Sequence, residues 1–490
     1  MSSFELLAIS PQLIISLAIV LQMLLIAFKR STYLIQSFTL ASILLAIASS
    51  VFTLPALNSQ ITLLFYLDGF SFSVINSVLF CSAIVVLVSG NYLKISHEVH
   101  DEYYLLVMLV TLGALILSIS DHFASVFLGL ELLSISLVGL VGYLRDRRQT
   151  LEASFKYLIL SATASSILLL GMAMLYAYSG DMSFNSIEPH YVSSVYIDSV
   201  AVEPGKDFKF LAQAGSILLL VGIAFKLSLA PFHFWTPDVY QGAPAPVTML
   251  LATVSKIAMF TVLIKFWFIS NQYLDQTMLS VISIIAVLSM LVGNLLALKQ
   301  NNIKRLLAYS SIAHMGYLLI ILPVISEVSI ELAKQSALFY ITAYALATLI
   351  LFTFICETSK SNQSTDFDDC HNWQGLFWLS PIQASAIVFA LLSLAGIPLT
   401  IGFIGKFYLI TSALTNQSWL LLASLVTGSA IGLYYYLRII FIIFSQPVNR
   451  ESSSQESEIS INSSLSHVLL FSLTLLLLAL GIYPDLYIFI

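Results

Sequence analysis

The sequence predicts an all-α, polytopic membrane protein of about fourteen transmembrane helices, and three observations carry that prediction. Of 490 residues, 59% are hydrophobic and only 9% are charged, against roughly 25% charged in a soluble globular domain. So few charges would not cover a surface in water. Apolar runs of about 20 residues, the length that crosses about 30 Å of hydrocarbon, recur along the whole chain. The runs are continuous, not strands of about 10 alternating residues, which favours helices over a β-barrel.

The expected spans are 7–28, 33–54, 69–92, 103–120, 122–143, 152–178, 211–230, 243–269, 275–298, 304–322, 330–356, 379–412, 418–444 and 464–488. The first lacks the basic start and small-residue cleavage site of a signal peptide, and Lys29-Arg30 follows its apolar stretch, so it is expected to be retained. Basic residues then recur in odd-numbered loops: Lys29 and Arg30 in loop one, Arg145, Arg147 and Arg148 (with nearby Lys156) in loop five, Lys299, Lys304 and Arg305 in loop nine, Arg450 (with Arg438 close by) in loop thirteen. This bias places the odd loops on the cytoplasmic or matrix side and both termini opposite. Loop eleven fits less well, because Asp366, Asp368 and Asp369 outweigh Lys360, but acidic residues count little in the rule. The long even loop at 179–210, with Asp181, Glu188, Asp198, Glu203 and Asp207 beside Lys206 and Lys209, reads as a solvated excursion, and 451–464 as a flexible inner linker. Nothing marks off a soluble catalytic domain.

Some function classes are excluded at this level. Cys81, Cys356 and Cys370 have no metal or redox spacing, and no metal site is expected. The net charge of −6 comes without a concentrated basic patch of the kind nucleic acid requires.

The informative residues are charges inside the spans, each costing about 2.5–3.5 kcal/mol at a helix centre. Glu131 lies within SVFLGLELLSISLVGLVGY with no charged neighbour for several turns, so it must face the protein interior or water; a structural ion pair is the plain alternative. Lys226, Lys256 and Lys406 lie within apolar runs, with snorkelling to a membrane face as the alternative; Lys265, near a helix end, is the better snorkelling candidate. His314, within SSIAHMGYLLI, is either a relay group or a hydrogen-bonded packing residue. A desolvated ammonium gives up its proton more easily, a nearby carboxylate holds the proton on, and histidine titrates near neutrality. Lysines, a glutamate and a histidine inside a membrane are therefore the residue types a proton path needs.

Two spans are interrupted. KLSLAPFHFWTPDVYQGAPAPVT carries Pro231, Pro237, Pro244 and Pro246, and LLSLAGIPLTIGFIGKF carries Gly396, Pro398, Gly402 and Gly405. Proline removes a backbone donor and clashes one turn back. In lipid, broken backbone survives only where protein buries it or a cavity is wet. Matched breaks in two halves point to inverted repeats around a midplane ion path. Pro231 and Pro398 are the candidate break points, and His233 is a gate or capping group beside the first.

On the stretches LGLELLSISLVGLVGY, EASFKYLILSATASSILLLGMAMLYA, GIAFKLSLAPFHFWTPDVYQGAPAPVT, QNNIKRLLAYSSIAHMGYLL and SLAGIPLTIGFIGKFYLI, the chain resembles the antiporter-like membrane subunits of respiratory complex I, the proton-translocating NADH:quinone oxidoreductase. Among them it is most similar to the N-type subunits, counterparts of mitochondrial NADH dehydrogenase subunit 2. The resemblance implies an N-terminal three-helix segment (1–102), two inverted five-helix repeats with broken helices (103–270 and 271–446), and a linker with a C-terminal helix (447–490). It implies that Glu131 pairs with Lys226, that Lys256 forms the central link, that His314 joins a hydrated axis and that Lys406 leads to the exit. Lys406 favours the N type, since M-type subunits carry glutamate there, and the chain lacks the lateral-helix extension of L-type subunits. The resemblance further implies other membrane-arm and peripheral subunits as partners. FMN, iron–sulfur clusters and quinone are expected in those subunits and no cofactor in this chain, whose sequence has no Gly-rich dinucleotide fingerprint and too few cysteines for a cluster. The expected location is a bacterial inner membrane with both termini periplasmic, a mitochondrial inner membrane being the lesser alternative. The competing function is a subunit of a multi-subunit cation/proton antiporter, and a structural spacer is a third.

Overall fold

A chain in hydrocarbon has no water to bond its backbone, so it closes its own hydrogen bonds as helices. In the computed structural model the described residues are 3–28, 31–93, 101–145, 147–187, 195–197, 200–202, 206–324, 330–359, 366, 368–446 and 464–484. The expectations placed on Lys29, Arg30, Glu188, Asp198, Glu203, Lys360, Arg450, linker residues 451–463 and the side chains of Lys206, Asp207 and Lys209 lie outside them.

The chain begins with α1 (Ser3–Ala8), α2 (Ser10–Phe28) and α3 (Thr32–Ser50), the last running into a 3-10 turn that contains Pro55. The antiparallel hairpin β1 (Ser59–Thr62) and β2 (Phe65–Leu67) pairs Ser59 with Leu67 and Gln60 with Tyr66. Asp68 then accepts from the Ser71 amide at 2.9 Å, capping α4 (Gly69–Leu93). Next come α5 (Asp101–Ile119), α6 (Phe123–Val141) and α7 (Arg148–Ser179), and the small hairpin β3 (Val195–Ile197) and β4 (Val200–Val202). The first broken segment follows as α8 (Lys206–Leu227) and α9 (Trp235–Gly242), then α10 (Ala245–Ala252) and α11 (Val254–Ile269). α12 (Gln276–Ala297) is capped by Asp275 and α13 (Ile303–Leu319) by Asn302, each side chain accepting from a first-turn amide. The remainder is α14 (Ile330–Thr358), the short α15 (Leu376–Leu379), the second broken pair α16 (Pro381–Ala395) and α17 (Ile401–Thr415), then α18 (Trp419–Phe444) and α19 (Ser464–Ile482).

Every expected span contains a helix, and those at 243–269 and 379–412 are each divided between two, α10 with α11 and α16 with α17. Eleven described helical stretches are long and apolar enough to cross a membrane. In two of them, Ala245–Ile269 and Ile330–Thr358, an 18-residue apolar window is buried throughout by protein, and its apolar residues run right round the helix as burial demands. Without a hydrophobic drive between helices in lipid, close contact depends on small residues. A Cβ built on Gly113 of α5 would stand 2.8 Å from the Gly129 carbonyl of α6, and one on Gly171 of α7 would stand 2.7 Å from the Gly215 carbonyl of α8.

The loops sort onto two faces, as an alternating path requires. The ends of α4 and α9 and the starts of α7 and α13 meet Asp366 and residues 368–372 on one face, where Tyr92, Arg147, Lys304 and Asp366 touch. Tyr66, Asp68, Asp121, Lys265 and Lys334 gather on the other. The expected solvated excursion folds back at its start: Phe184 is buried against Phe123 and Phe266.

Candidate functional site

Both expected breaks are present, and each leaves helix-end carbonyls inside the protein. Ser228, with φ of 63°, follows α8; Gly396 (φ 82°) and Leu399 (φ 74°) separate α16 from α17. The last carbonyls of a helix carry its negative partial charge and lack intrahelical partners. A lysine reaches each set. The Lys256 ammonium, 0% exposed, donates to the Leu227 carbonyl and the Ser228 hydroxyl, both at 2.6 Å. The Lys406 ammonium, 6% exposed, donates to the carbonyls of Leu394 at 3.0 Å and Ala395 at 2.8 Å. Neither lysine snorkels, and the break and the buried cation stabilise each other.

Lys226, 3% exposed and in the last turn of α8, donates to the hydroxyls of Ser134 (α6) and Ser161 (α7), both at 2.6 Å. Its ammonium also lies 5.8 Å from the Tyr157 ring centre. The expected ion pair with Glu131 is not formed. Glu131 stays within electrostatic reach of Lys226, but its Oε1 is buried without a hydrogen-bond partner. Ser134, three residues further along α6, is buried and takes the position facing Lys226, while Glu131 is turned toward the edge of the helix. Glu131 is half-buried, at the edge of the outward strip of α6 that carries exposed Leu128 and Ile135.

His314, 3% exposed, bridges two helices: Nδ1 lies 2.8 Å from the Tyr340 hydroxyl of α14 and Nε2 lies 3.2 Å from the Tyr436 hydroxyl of α18. The hydroxyls of Tyr436 and Ser310 are in contact. Tyr435 donates to Asn294 Oδ1 at 3.1 Å, and Asn294 donates to the Tyr317 hydroxyl at 2.8 Å. The Tyr317 ring lies 5.3 Å from the Lys406 ammonium. His314 and Lys406 thus share one polar network, whereas Lys226 and Lys256 hold separate positions around the first break. Pro231 and Pro398 are exposed at their breaks. His233 is buried, stacks on Phe234 with centres 4.7 Å apart and leaves Nδ1 without a partner.

Lys265 is the clear correction. It does not snorkel; it is 1% exposed and donates to the Tyr66 carbonyl of the β-hairpin at 3.2 Å. The hairpin and the loop at Asp121 cover this helix end, so protein takes the place of headgroups. Asp68 pairs with Lys334 at 3.3 Å. Burial pushes the Asp68 carboxyl up, but Lys265, Ser71 and Lys334 outweigh it and hold it below the usual carboxylate range. Asp121 is pushed up by burial, against the pull of Lys265.

The opposite face explains the acidic excess of loop eleven. Asp366 accepts from Arg147 at 2.8 Å, Lys304 at 2.7 Å and the Tyr92 hydroxyl at 2.7 Å. Burial pushes its carboxyl up, yet Lys304 and then Arg147 bring it below the ordinary value. Lys304 also donates to the Ala243 carbonyl at 2.6 Å, and Arg305 pairs with Asp238 of α9 at 2.8 Å. Residues that sequence reasoning used only to orient the chain therefore tie α13 to the end of α9. The serines and tyrosines of the site were missed altogether. Hydroxyls are common and inexpensive in spans, so nothing in the composition singles them out.

The family described as NADH:quinone oxidoreductase/Mrp antiporter, transmembrane, matches residues 120–432. A chain of respiratory complex I from Thermus thermophilus, solved with bound aureothin, is 30% identical with a TM-score of 0.79, over 97% of this chain and 98% of that one. Two others share the fold: a chain of the membrane-bound sulfane sulfur reductase, an archaeal respiratory membrane complex (22% identity, TM-score 0.81, 99% and 96% covered), and one of the Mrp complex from Dietzia sp. DQ12-45-1b (21% identity, TM-score 0.80, 99% and 96% covered). The family match over residues 120–432 and the 30% identity across 97% of the chain place this protein in the NADH:quinone oxidoreductase/Mrp antiporter family of transmembrane proteins.

Proposed function

We propose that this chain is a proton-translocating membrane-arm subunit, of the N type, in NADH:quinone oxidoreductase. One observation carries the reading. Lys226, Lys256 and Lys406 are buried, and every hydrogen bond described for their ammonium groups goes to a neutral hydroxyl or carbonyl. A buried lysine locked to a carboxylate is fixed in its charge; one held by neutral acceptors changes protonation when its surroundings shift. The energies are in scale: one pKa unit corresponds to about 1.36 kcal/mol, and carrying a charge across 100 mV costs about 2.3 kcal/mol. In this reading Glu131 tunes Lys226 from the edge of α6, Lys256 and Lys406 load at the two breaks, and His314 connects through its tyrosines.

The driving chemistry belongs to other subunits, where FMN, iron–sulfur clusters and quinone reside; this chain's three buried, separate cysteines supply no cluster ligand set. Its partners are neighbouring membrane-arm and peripheral subunits, in a bacterial inner membrane, with the Arg147–Lys304 face cytoplasmic. Lys226→Ala, Lys256→Ala or Glu131→Ala is expected to lower coupled NADH–quinone turnover in a complex that still assembles. Wild-type turnover and intact pumping in an assembled Lys256→Ala complex would overturn the relay. The similarity to the Mrp chain gives the second reading, sodium–proton exchange without a redox partner. Purification of the native assembly without flavin-containing subunits would favour it.

A further inference from the structure

Three buried hydroxyls stand where the helices of residues 103–270 meet those of 271–446. Tyr240 lies on α9, Ser311 on α13 and Tyr344 on α14. Their oxygens are neighbours close enough to interact with one another, all are sealed from solvent, and none has a hydrogen-bond partner of regular geometry. A buried polar group without a partner costs about 1–3 kcal/mol. Phenylalanine at 240 and 344 and alanine at 311 would fill almost the same space without that cost. Groups of this kind are satisfied by bound water, which needs two to four polar partners within reach.

The position of the trio gives it a direction. Ser311 lies one turn before His314 on α13, and Tyr344 lies one turn beyond Tyr340 on α14. The Tyr344 ring is 5.5 Å from the His314 ring, and Tyr340 is already hydrogen-bonded to His314. On the other side, Tyr240 is within electrostatic reach of Tyr157, whose ring lies against the Lys226 ammonium. Lys256 is held instead at the break, by Leu227 and Ser228.

We propose that Tyr240, Ser311 and Tyr344 hold bridging water and form the link through which a proton passes between the Lys226 site and His314. The inference rests on the proton-translocating reading and deepens it. In each hop an oxygen accepts a proton from one neighbour and releases its own hydrogen to the next. One O–H bond forms and one breaks, no electron moves, and each tyrosine ends neutral as it began. The step ends with the proton on His314, beside Tyr340 and Tyr436.

The test uses the native assembly in inverted membrane vesicles, with Tyr240→Phe, Tyr344→Phe and Ser311→Ala made singly and the two phenylalanine changes together. Assembly is measured by the amount of complex, and proton uptake and its ratio in D2O and H2O by a pH-sensitive dye. The double variant is expected to assemble and to lose about 10²-fold in proton uptake, the low end for removal of a positioned proton-transfer group. The solvent isotope effect is expected to rise as transfer through the damaged link becomes limiting, a change that a packing role would not produce. Wild-type uptake in the double variant, while Lys226→Ala abolishes it, overturns the hydroxyl link and leaves the function intact. Wild-type uptake in both overturns the function. Should the double variant fail to assemble, Ser311→Ala, which removes a single oxygen, decides by the same readout.

Discussion

Replacing Asp366 with alanine removes one buried carboxylate and strands the cations around it. Asp366 holds Lys304 at 2.7 Å and Arg147 at 2.8 Å, with Tyr92 donating at 2.7 Å. Arg147 is 16% exposed and finds water once released, but the Lys304 side chain is 1% exposed and does not. Removing one partner of a buried pair costs about 3–5 kcal/mol because the other charge stays buried. At 1.36 kcal/mol per tenfold, that makes local opening about 10²- to 10⁴-fold more frequent. Cys356, buried within electrostatic range of both Asp366 and Lys304, reports that opening. With Cys81 and Cys370 replaced by alanine, Asp366→Ala is expected to speed maleimide labelling of Cys356 by that factor. Combining it with Lys304→Met removes the stranded charge and should return labelling close to the parent rate. The sign with pH follows from the lowered Asp366 carboxyl. A depressed folded value contributes stability above the ordinary carboxyl value of 3.8 and loses it as pH falls through the lower, folded value. Corrected for the thiolate fraction with an exposed-cysteine control, labelling should therefore stay flat through neutral pH and rise only in acid. Unchanged labelling in Asp366→Ala, or a double variant as labile as the single, would refute the reasoning.

Two further outcomes follow from the site. Replacing Ser134 and Ser161 together by alanine takes both described acceptors from Lys226. A hydrogen bond to a charged group is worth about 1.5–3 kcal/mol, so proton uptake at neutral pH should fall about tenfold for each acceptor lost, while either serine alone sustains part of it. Gly402→Ala places a methyl on the Ser393 backbone carbonyl, which cannot yield, and shifts α17 away from the carbonyls that Lys406 binds. It is expected to lower both assembly and pumping, whereas Gly139→Ala, which meets only the flexible end of Leu106, should leave both unchanged.

The long apolar runs, the breaks and the residues with a charge to hide were legible from the chain alone. Hydropathy reports spans because lipid leaves the backbone no other partner, and proline reports breaks because it lacks a donor. Lys226, Lys256, Lys406 and His314 stood out because charge in an apolar run is costly enough to need a reason. Their partners were not legible, since every span contains serine and tyrosine and those residues cost little wherever they point. Lys265 was misread for a related reason: its nearness to a helix end was visible in sequence, but the cover supplied by residues 59–67 was not.

What the sequence by itself determined is therefore a list of groups that must be satisfied inside the protein. Which group satisfies which was decided only by tertiary structure. Ser134, not Glu131, meets Lys226 because the packing of α6 turns Ser134 inward and leaves Glu131 at the edge. Asp366 meets Arg147 across 219 positions of chain, and Tyr240, Ser311 and Tyr344 come together from three helices. Local composition reports the cost of burying a group, whereas the partner that offsets this cost depends on helix rotation and packing between distant segments, which no local pattern encodes.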